Sequence, residues 1–338
     1  MVPYRERLHT AATSALRTRS GPNAHRRASI RAVRYGYRSD TACRGRSVSM
    51  FDRLIVATDL SPASYAVVRC LGRLRALGAE HCLLLQCIST ASAASAALSY
   101  GTSSLEAMLD EQRAILGVQG FSVETRIVVG SPKQEIVRTA RDEAYSLIVV
   151  GTQGRSQVAE RLLGGVAYAV INHATTPVLA VPVEMRDGGG TRCEPVARCD
   201  FSGHVLYATD FSTAADHAFS YVRDIVAAGV HRVTLVHVQD VVKLAHHGAE
   251  RMRAFDDIDR DRLATLRDTL QGAGSVEIEI VHGSPSEIIL EVAERRDVQL
   301  VVMATQGRGF VGELVLGSVS HKVVRRSPAP VLLIPPRA

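Results

Sequence analysis

Gly151 and Gly154 are followed, after nine intervening residues, by Gly164-Gly165, and Ala304, Gly307 and Gly317-Ser318 repeat that spacing in the second half of the chain. Glycines after a strand let backbone N–H groups come close to an anion, because no Cβ intervenes. The closing pair falls where a helix is expected to begin, at Val166 or Val319, and free amides together with the helix dipole favour phosphate there. The Ser318 hydroxyl adds a donor that Gly165 lacks, while Ala304 adds a methyl group that Gly151 lacks. Asp59 and Asp210 end the first apolar run of each half, where a carboxylate can meet a nucleoside or a divalent ion held by phosphates. A plainer role competes, since Asp-x-Ser openings routinely cap the helix that follows. Arg155 and Arg308, directly after the middle glycines, are the basic side chains best suited to those loops.

Other chemistries find little support. There is no G-x4-G-K-[S/T] loop, and Lys133, Lys243 and Lys322 lie outside the glycine stretches. No residue stands out to orient an attacking water, so dedicated catalysis is not expected and ATP hydrolysis would be weak. His81, His217, His231, His237, His246 and His247 form no ligand set that recurs between the halves, which argues for solvated or core histidines over zinc. Cys43, Cys70, Cys82, Cys87, Cys193 and Cys199 likewise have no duplicated pattern, so the chain reads as reduced and cytoplasmic.

The elements that must position the glycines recur with them. Leu147–Arg155 returns as Leu300–Arg308, Gly130-Ser-Pro132 as Gly283-Ser-Pro285, and Ala57-Thr-Asp-Leu-Ser61 as Ala208-Thr-Asp-Phe-Ser212. The shift is 153 residues for the first two and 151 for the third, about the size of a whole domain. Each half holds five short, continuously apolar runs, such as Leu54–Ala57, Leu147–Val150, Val205–Ala208 and Leu300–Met303. Runs without alternation suit strands buried on both faces, and the segments between them are long enough for crossover helices. Ser131-Pro132-x-Gln134 and Ser284-Pro285-x-Glu287 each fit a capping box with proline at the first helical position. The expected fold is α/β, with two tandem doubly wound domains of five parallel strands and helices on both faces. Domain 1 spans 50–185, domain 2 spans 202–338, and the Gly- and Pro-containing stretch 186–201 links them.

Charge adds a third region. Residues 1–49 hold eleven Arg and no Lys against Glu6 and Asp40, giving +9, whereas the whole chain is only +6. The basic balance therefore belongs to this leader, and the remainder is slightly acidic, which removes the charge argument for a nucleic-acid partner. The leader reads as a basic arm, a transit segment, or an upstream extension of a domain that opens naturally at Met50. No apolar run of 18 residues exists, so no membrane-spanning helix is expected.

These motifs, in this order, resemble the universal stress protein family, and the resemblance covers nearly all of residues 50–338, twice. The family pattern G-x2-G-x9-G-[S/T] after the fourth strand, the Asp ending strand one and the G-x-P turn after strand three are all present. The resemblance implies strand order 3-2-1-4-5, pairing through the fifth strands within one chain, with a homodimer as a further option, and ATP with Mg in the cleft. It carries nucleotide contacts onto Asp210, Val238, Ala304, Gly307, Arg308, Gly317 and Ser318, and onto Asp59, Ile88, Gly151, Gly154, Gly164 and Gly165 in the first half. The second cleft is expected to be the stronger site, because Ser318 is retained. The implied role is an ATP-binding stress-response regulator. Each motif departs once from the pattern, which favours an alternative: a module without nucleotide that works through its paired domains. A nucleotide-dependent enzyme is a third reading.

Overall fold

The computed structural model describes residues 50–89, 101–152, 163–186, 192–195, 200–240, 249–307 and 316–337, all within one compact unit. The basic leader lies outside these residues. In the first half, β1 (Arg53–Thr58), β2 (His81–Ile88), β3 (Ser122–Val129), β4 (Leu147–Gly151) and β5 (Val178–Val181) alternate with α1 (Pro62–Cys70), α2 (Gly101–Val118), α3 (Pro132–Asp142) and α4 (Gly165–His173). A hairpin follows, of β6 (Val183–Arg186) and β7 (Arg192–Pro195). The second half repeats the scheme with β8 (His204–Thr209), α5 (Thr213–Ala227), β9 (Arg232–Asp240), α6 (Ala249–Asp268), β10 (Ser275–Gly283), α7 (Pro285–Arg295), β11 (Leu300–Ala304), α8 (Ser318–Arg326) and β12 (Val331–Ile334).

The ten main strands form one sheet in the order β10-β9-β8-β11-β12-β5-β4-β1-β2-β3. Each half is parallel with order 3-2-1-4-5, and the two join antiparallel where Leu332 faces Leu179 and Val331 faces Ala180. Leu332 and Leu179 are each 1% exposed, so the junction is continuous core rather than a surface contact. The apolar runs behave as their lack of alternation requires: β8, β11 and β12 are buried along their whole length. Helices cover both faces, and side chains alternate along the strands between two core layers: Leu54 and Val56 go to one, Ile55 to the other.

The outermost strands, β3 and β10, carry charge where they meet solvent. Arg126 of β3 pairs with Glu124 and, at 2.5 Å, with Glu143 beyond α3. Glu279 of β10 pairs with Arg295 at 2.7 Å and with Arg296, which also reaches Glu277.

Three local expectations are corrected. The stretch 186–201 is not plain linker, since it contains part of the β6–β7 hairpin. Ser131 and Ser284 cap α3 and α7 without a side-chain hydrogen bond, so the capping boxes do not close, although proline does occupy the first turn. Their ψ of 118° contrasts with 163° and 162° at Ser61 and Ser212, whose hydroxyls do accept from Ser64 N–H and Ala215 N–H. Finally, Cys70, expected as a reduced thiol, takes part in a disulfide, whereas Cys82 and Cys87 are free.

Candidate functional site

Beyond the carboxyl ends of the parallel strands, each half opens a cleft at the point where strand order reverses, between β1 and β4 or between β8 and β11. The turn that ends the first strand is built twice in the same way. Thr58 Oγ1 accepts from Leu60 N–H at 3.0 Å, and Asp59 Oδ1 accepts from Ser61 N–H at 3.0 Å. Thr209 and Asp210 repeat this toward Phe211 N–H at 2.9 Å and Ser212 N–H at 3.0 Å. The bonds hold Leu60 and Phe211 at φ of 59° and 56°, a left-handed conformation that non-glycine residues seldom adopt. Thus Asp59 and Asp210 do brace the helix entry, but the cap itself is the following serine, and both aspartates still line their clefts.

Opposite Asp210 comes the glycine segment. A Cβ on Gly307 would lie 2.5 Å from Asp210 Oδ2, so any side chain there requires the carboxylate or the glycine segment to shift. Gly317 N–H donates to Thr305 O at 2.8 Å, and a Cβ on Gly317 would press on that same oxygen at 3.2 Å. Gly317 is the N-cap of α8 and offers no side-chain acceptor to the first-turn amides, unlike Ser212 at the head of α5. Those amides belong to Ser318, Val319 and Ser320, all of which line the cleft. The first half matches with Gly164 N–H donating to Thr152 O at 2.8 Å and Gly164 as the N-cap of α4.

The two clefts differ in size and wall. The second encloses about 560 Å³ and the first about 260 Å³. Asp210, Val238, Ala304, Gly307, Gly317 and Ser318 come together around the second, while Arg308 lies outside the described residues. Asp59, Gly151, Gly164 and Gly165 come together around the first, and Gly154 lies outside the described residues. Ile88 is a correction: Cys87, one residue earlier, faces the first cleft. Strand register explains it, because Thr58 pairs with Gln86 as Thr209 pairs with His237, which makes Cys87 the counterpart of Val238. Burial pushes the Cys87 thiol up to about 11, with Glu135 adding to the rise, so it is a neutral apolar contact at ordinary pH.

Sequence reasoning missed the wall supplied by α6. Phe255, Ile258, Asp259 and Arg262 all line the second cleft. Their i, i+3, i+4, i+7 spacing marks one helix face, a signal readable in advance but not tied to the glycine loops. His237 was read as a solvated or core histidine, and it is buried yet faces the second cleft. Its Nδ1 donates to Thr209 O at 2.8 Å, its Nε2 lies 3.3 Å from Asp259 Oδ2, and its ring lies against Phe211, tilted by 38° with centroids 4.5 Å apart. Gln239 Nε2 donates to Asp259 Oδ2 at 3.0 Å, and Arg262 sits over the Phe211 ring at 5.3 Å. At the amino ends of β1 and β2, Asp52, Glu80 and His81 bring one ligand atom each within 4.8 Å of one another.

The family model described as the universal stress protein family matches residues 50–182 and again residues 202–335. A universal stress protein of Mycolicibacterium smegmatis is 27% identical over 224 residues, which cover 64% of this chain and 70% of that one. A shorter relative from Thermus aquaticus is 32% identical over 134 residues, 38% of this chain and 96% of its own length. Among solved structures, a universal stress protein from Archaeoglobus fulgidus is similar with a TM-score of 0.62 at 26% identity, covering 84% of this chain and 96% of that one. Among the described residues, no helix is long and apolar enough to cross a membrane.

Proposed function

The chain belongs to the universal stress protein family, and from that premise we propose that its second cleft binds ATP with Mg²⁺ and that the protein is a nucleotide-responsive stress regulator. One observation carries this reading. A cavity of about 560 Å³, within the usual range for small-molecule sites, is faced by the first-turn amides of α8, which have no side-chain cap. Gly307 and Gly317 leave the backbone accessible to phosphate, and the Ser318 hydroxyl adds one donor. Val238, Ile289 and Met303 supply an apolar wall for a base. A magnesium ion takes oxygen ligands from one or two carboxylates and from phosphates, and Asp210 and Asp240 line the same cavity. Regulation then means that the liganded chain presents a surface that the empty one does not.

The test is thermal. A ligand that binds only the folded state stabilises it by mass action, about 2.7 kcal/mol at a hundredfold excess over the dissociation constant. The melting temperature is expected to rise steadily with Mg-ATP into the millimolar range. No rise would support the other reading, a module that works through its paired halves without nucleotide. The smaller first cleft, with Gly165 in place of a hydroxyl, gives that reading its foothold.

The first cleft allows a complementary gain-of-binding experiment. A Cβ on Gly165 would meet nothing within 4 Å, so serine fits there without strain. Gly165→Ser is expected to leave folding intact and to strengthen nucleotide binding in the first cleft by roughly fivefold, one hydrogen bond's worth. Calorimetric stoichiometry moving from one toward two nucleotides per chain would mark the effect. Unchanged stoichiometry would show that cleft size, not the missing hydroxyl, is what limits the first site.

A further inference from the structure

The loop entering α8 is held from two sides, and one of them belongs to the other half of the chain. Within its own half, Gly317 N–H donates to Thr305 O. From the first half, Asn172 on α4 presents Oδ1, which accepts from Leu316 N–H at 2.7 Å across the junction of the two halves. Leu316 is the residue immediately before the glycine N-cap, and it is 7% exposed. Fixing its amide anchors the chain one peptide ahead of the one that Gly317 N–H ties to Thr305 O, so two successive N–H groups are held as the chain enters the first turn of α8.

Among the described residues, the arrangement is not returned. The first half has the equivalent internal bond, Gly164 N–H to Thr152 O. By the 153-residue shift, however, the counterpart of Asn172 is Arg325. A guanidinium only donates hydrogen bonds, so Arg325 cannot accept from the Leu163 N–H as Asn172 accepts from Leu316. The first half therefore lends the second a strut that Arg325 cannot give back, and the strut lies one residue from the cap facing the larger cleft.

We propose that Asn172 is a positioning residue for phosphate in the second cleft, so that this cleft is complete only when the first half is docked against it. The inference rests on the second cleft being a nucleotide site. Without Asn172, the part-buried Leu316 N–H loses its acceptor, and the loop gains freedom that a phosphate-bearing ligand must remove on binding. A ligand without phosphate does not call on those amides and should not register the loss.

That difference supplies the test. Wild type and Asn172→Ala are titrated calorimetrically with Mg-ATP and, separately, with adenosine. ATP is expected to bind about five- to tenfold more weakly to the variant, in line with the loss of one net hydrogen bond, while adenosine affinity stays within about twofold. Hydrogen exchange of the unliganded variant should be faster at the amides of residues 316–320 and unchanged within α4. Equal weakening of ATP and adenosine would overturn the proposal in favour of a general packing role, and unchanged ATP affinity would overturn it outright. Should Asn172→Ala fold poorly, Asn172→Gln, whose acceptor is displaced by one methylene, carries the same comparison. If wild type binds no ATP, the nucleotide reading itself fails, a result distinct from any difference between the variants.

Discussion

Gly307→Val is expected to abolish nucleotide binding at the second cleft. The physical cause is more specific than crowding of a phosphate. The first carbon of any side chain at this position would lie 2.5 Å from Asp210 Oδ2, closer than nonbonded carbon and oxygen can approach, and valine adds two methyl groups beyond it. Either the glycine segment retreats from the cleft or the Asp210 carboxylate is pushed off the turn where it accepts from Ser212 N–H. Both outcomes damage the same site, one by moving the backbone amides and the other by moving the carboxylate. Calorimetry should find no second-cleft binding, with the far-ultraviolet circular dichroism unchanged. Retained affinity would show that Gly307 is only a tight turn and that phosphate lies elsewhere.

A large stability effect is expected at the junction of the halves. Leu332→Ala removes a side chain that is 1% exposed and faces its own counterpart, Leu179, across the antiparallel pair. A buried Leu→Ala change costs about 2–5 kcal/mol, the spread reflecting how far the cavity collapses. Because Leu332 belongs to a core layer that runs through both halves, the loss should lower a single unfolding transition in urea rather than split it in two. Two separated transitions would mean that the halves are independent folding units joined only at their surfaces. A loss below about 0.5 kcal/mol would mean that the seam is loosely packed.

Much of this architecture was legible because parallel strands buried on both faces leave an unmistakable trace: continuous apolar runs such as Leu147–Val150 and Leu300–Met303, each followed by glycine or alanine. The duplication then made each half a check on the other. What could not be read was register and reach. Ile88 ends the apolar run of β2, but the residue that faces the cleft, Cys87, is fixed by register with β1 and not by composition. The α6 wall of the second cleft was missed because a crossover helix announces its apolar face without announcing what that face meets. Asn172 is invisible in the same way, since its partner Leu316 is 144 residues distant and on the other half. The β6–β7 hairpin was the avoidable miss. A glycine-rich stretch of sequence between Val183–Arg186 and Arg192–Pro195 is a hairpin signal as much as a linker signal.

The charged outer strands have a consequence for how the molecule meets its own kind. Among the described residues, the ten-stranded sheet has two rims, along β3 and β10, that lack a neighbouring strand, and such rims invite an incoming strand from another molecule. On β10, Glu277 and Glu279 are tied to Arg295 and Arg296, and on β3, Arg126 is clasped between Glu124 and Glu143. The more exposed of these pairs, such as Arg126 with Glu124, add little to folding stability. Their effect is on growth: an approaching strand would have to strip these charges of partners before its own backbone could bond. Joining the fifth strands has already consumed the two least polar rims, and the ones left over are those least able to seed a fibril. The molecule can thus keep a long, strongly hydrophobic sheet in a crowded solution without extending it.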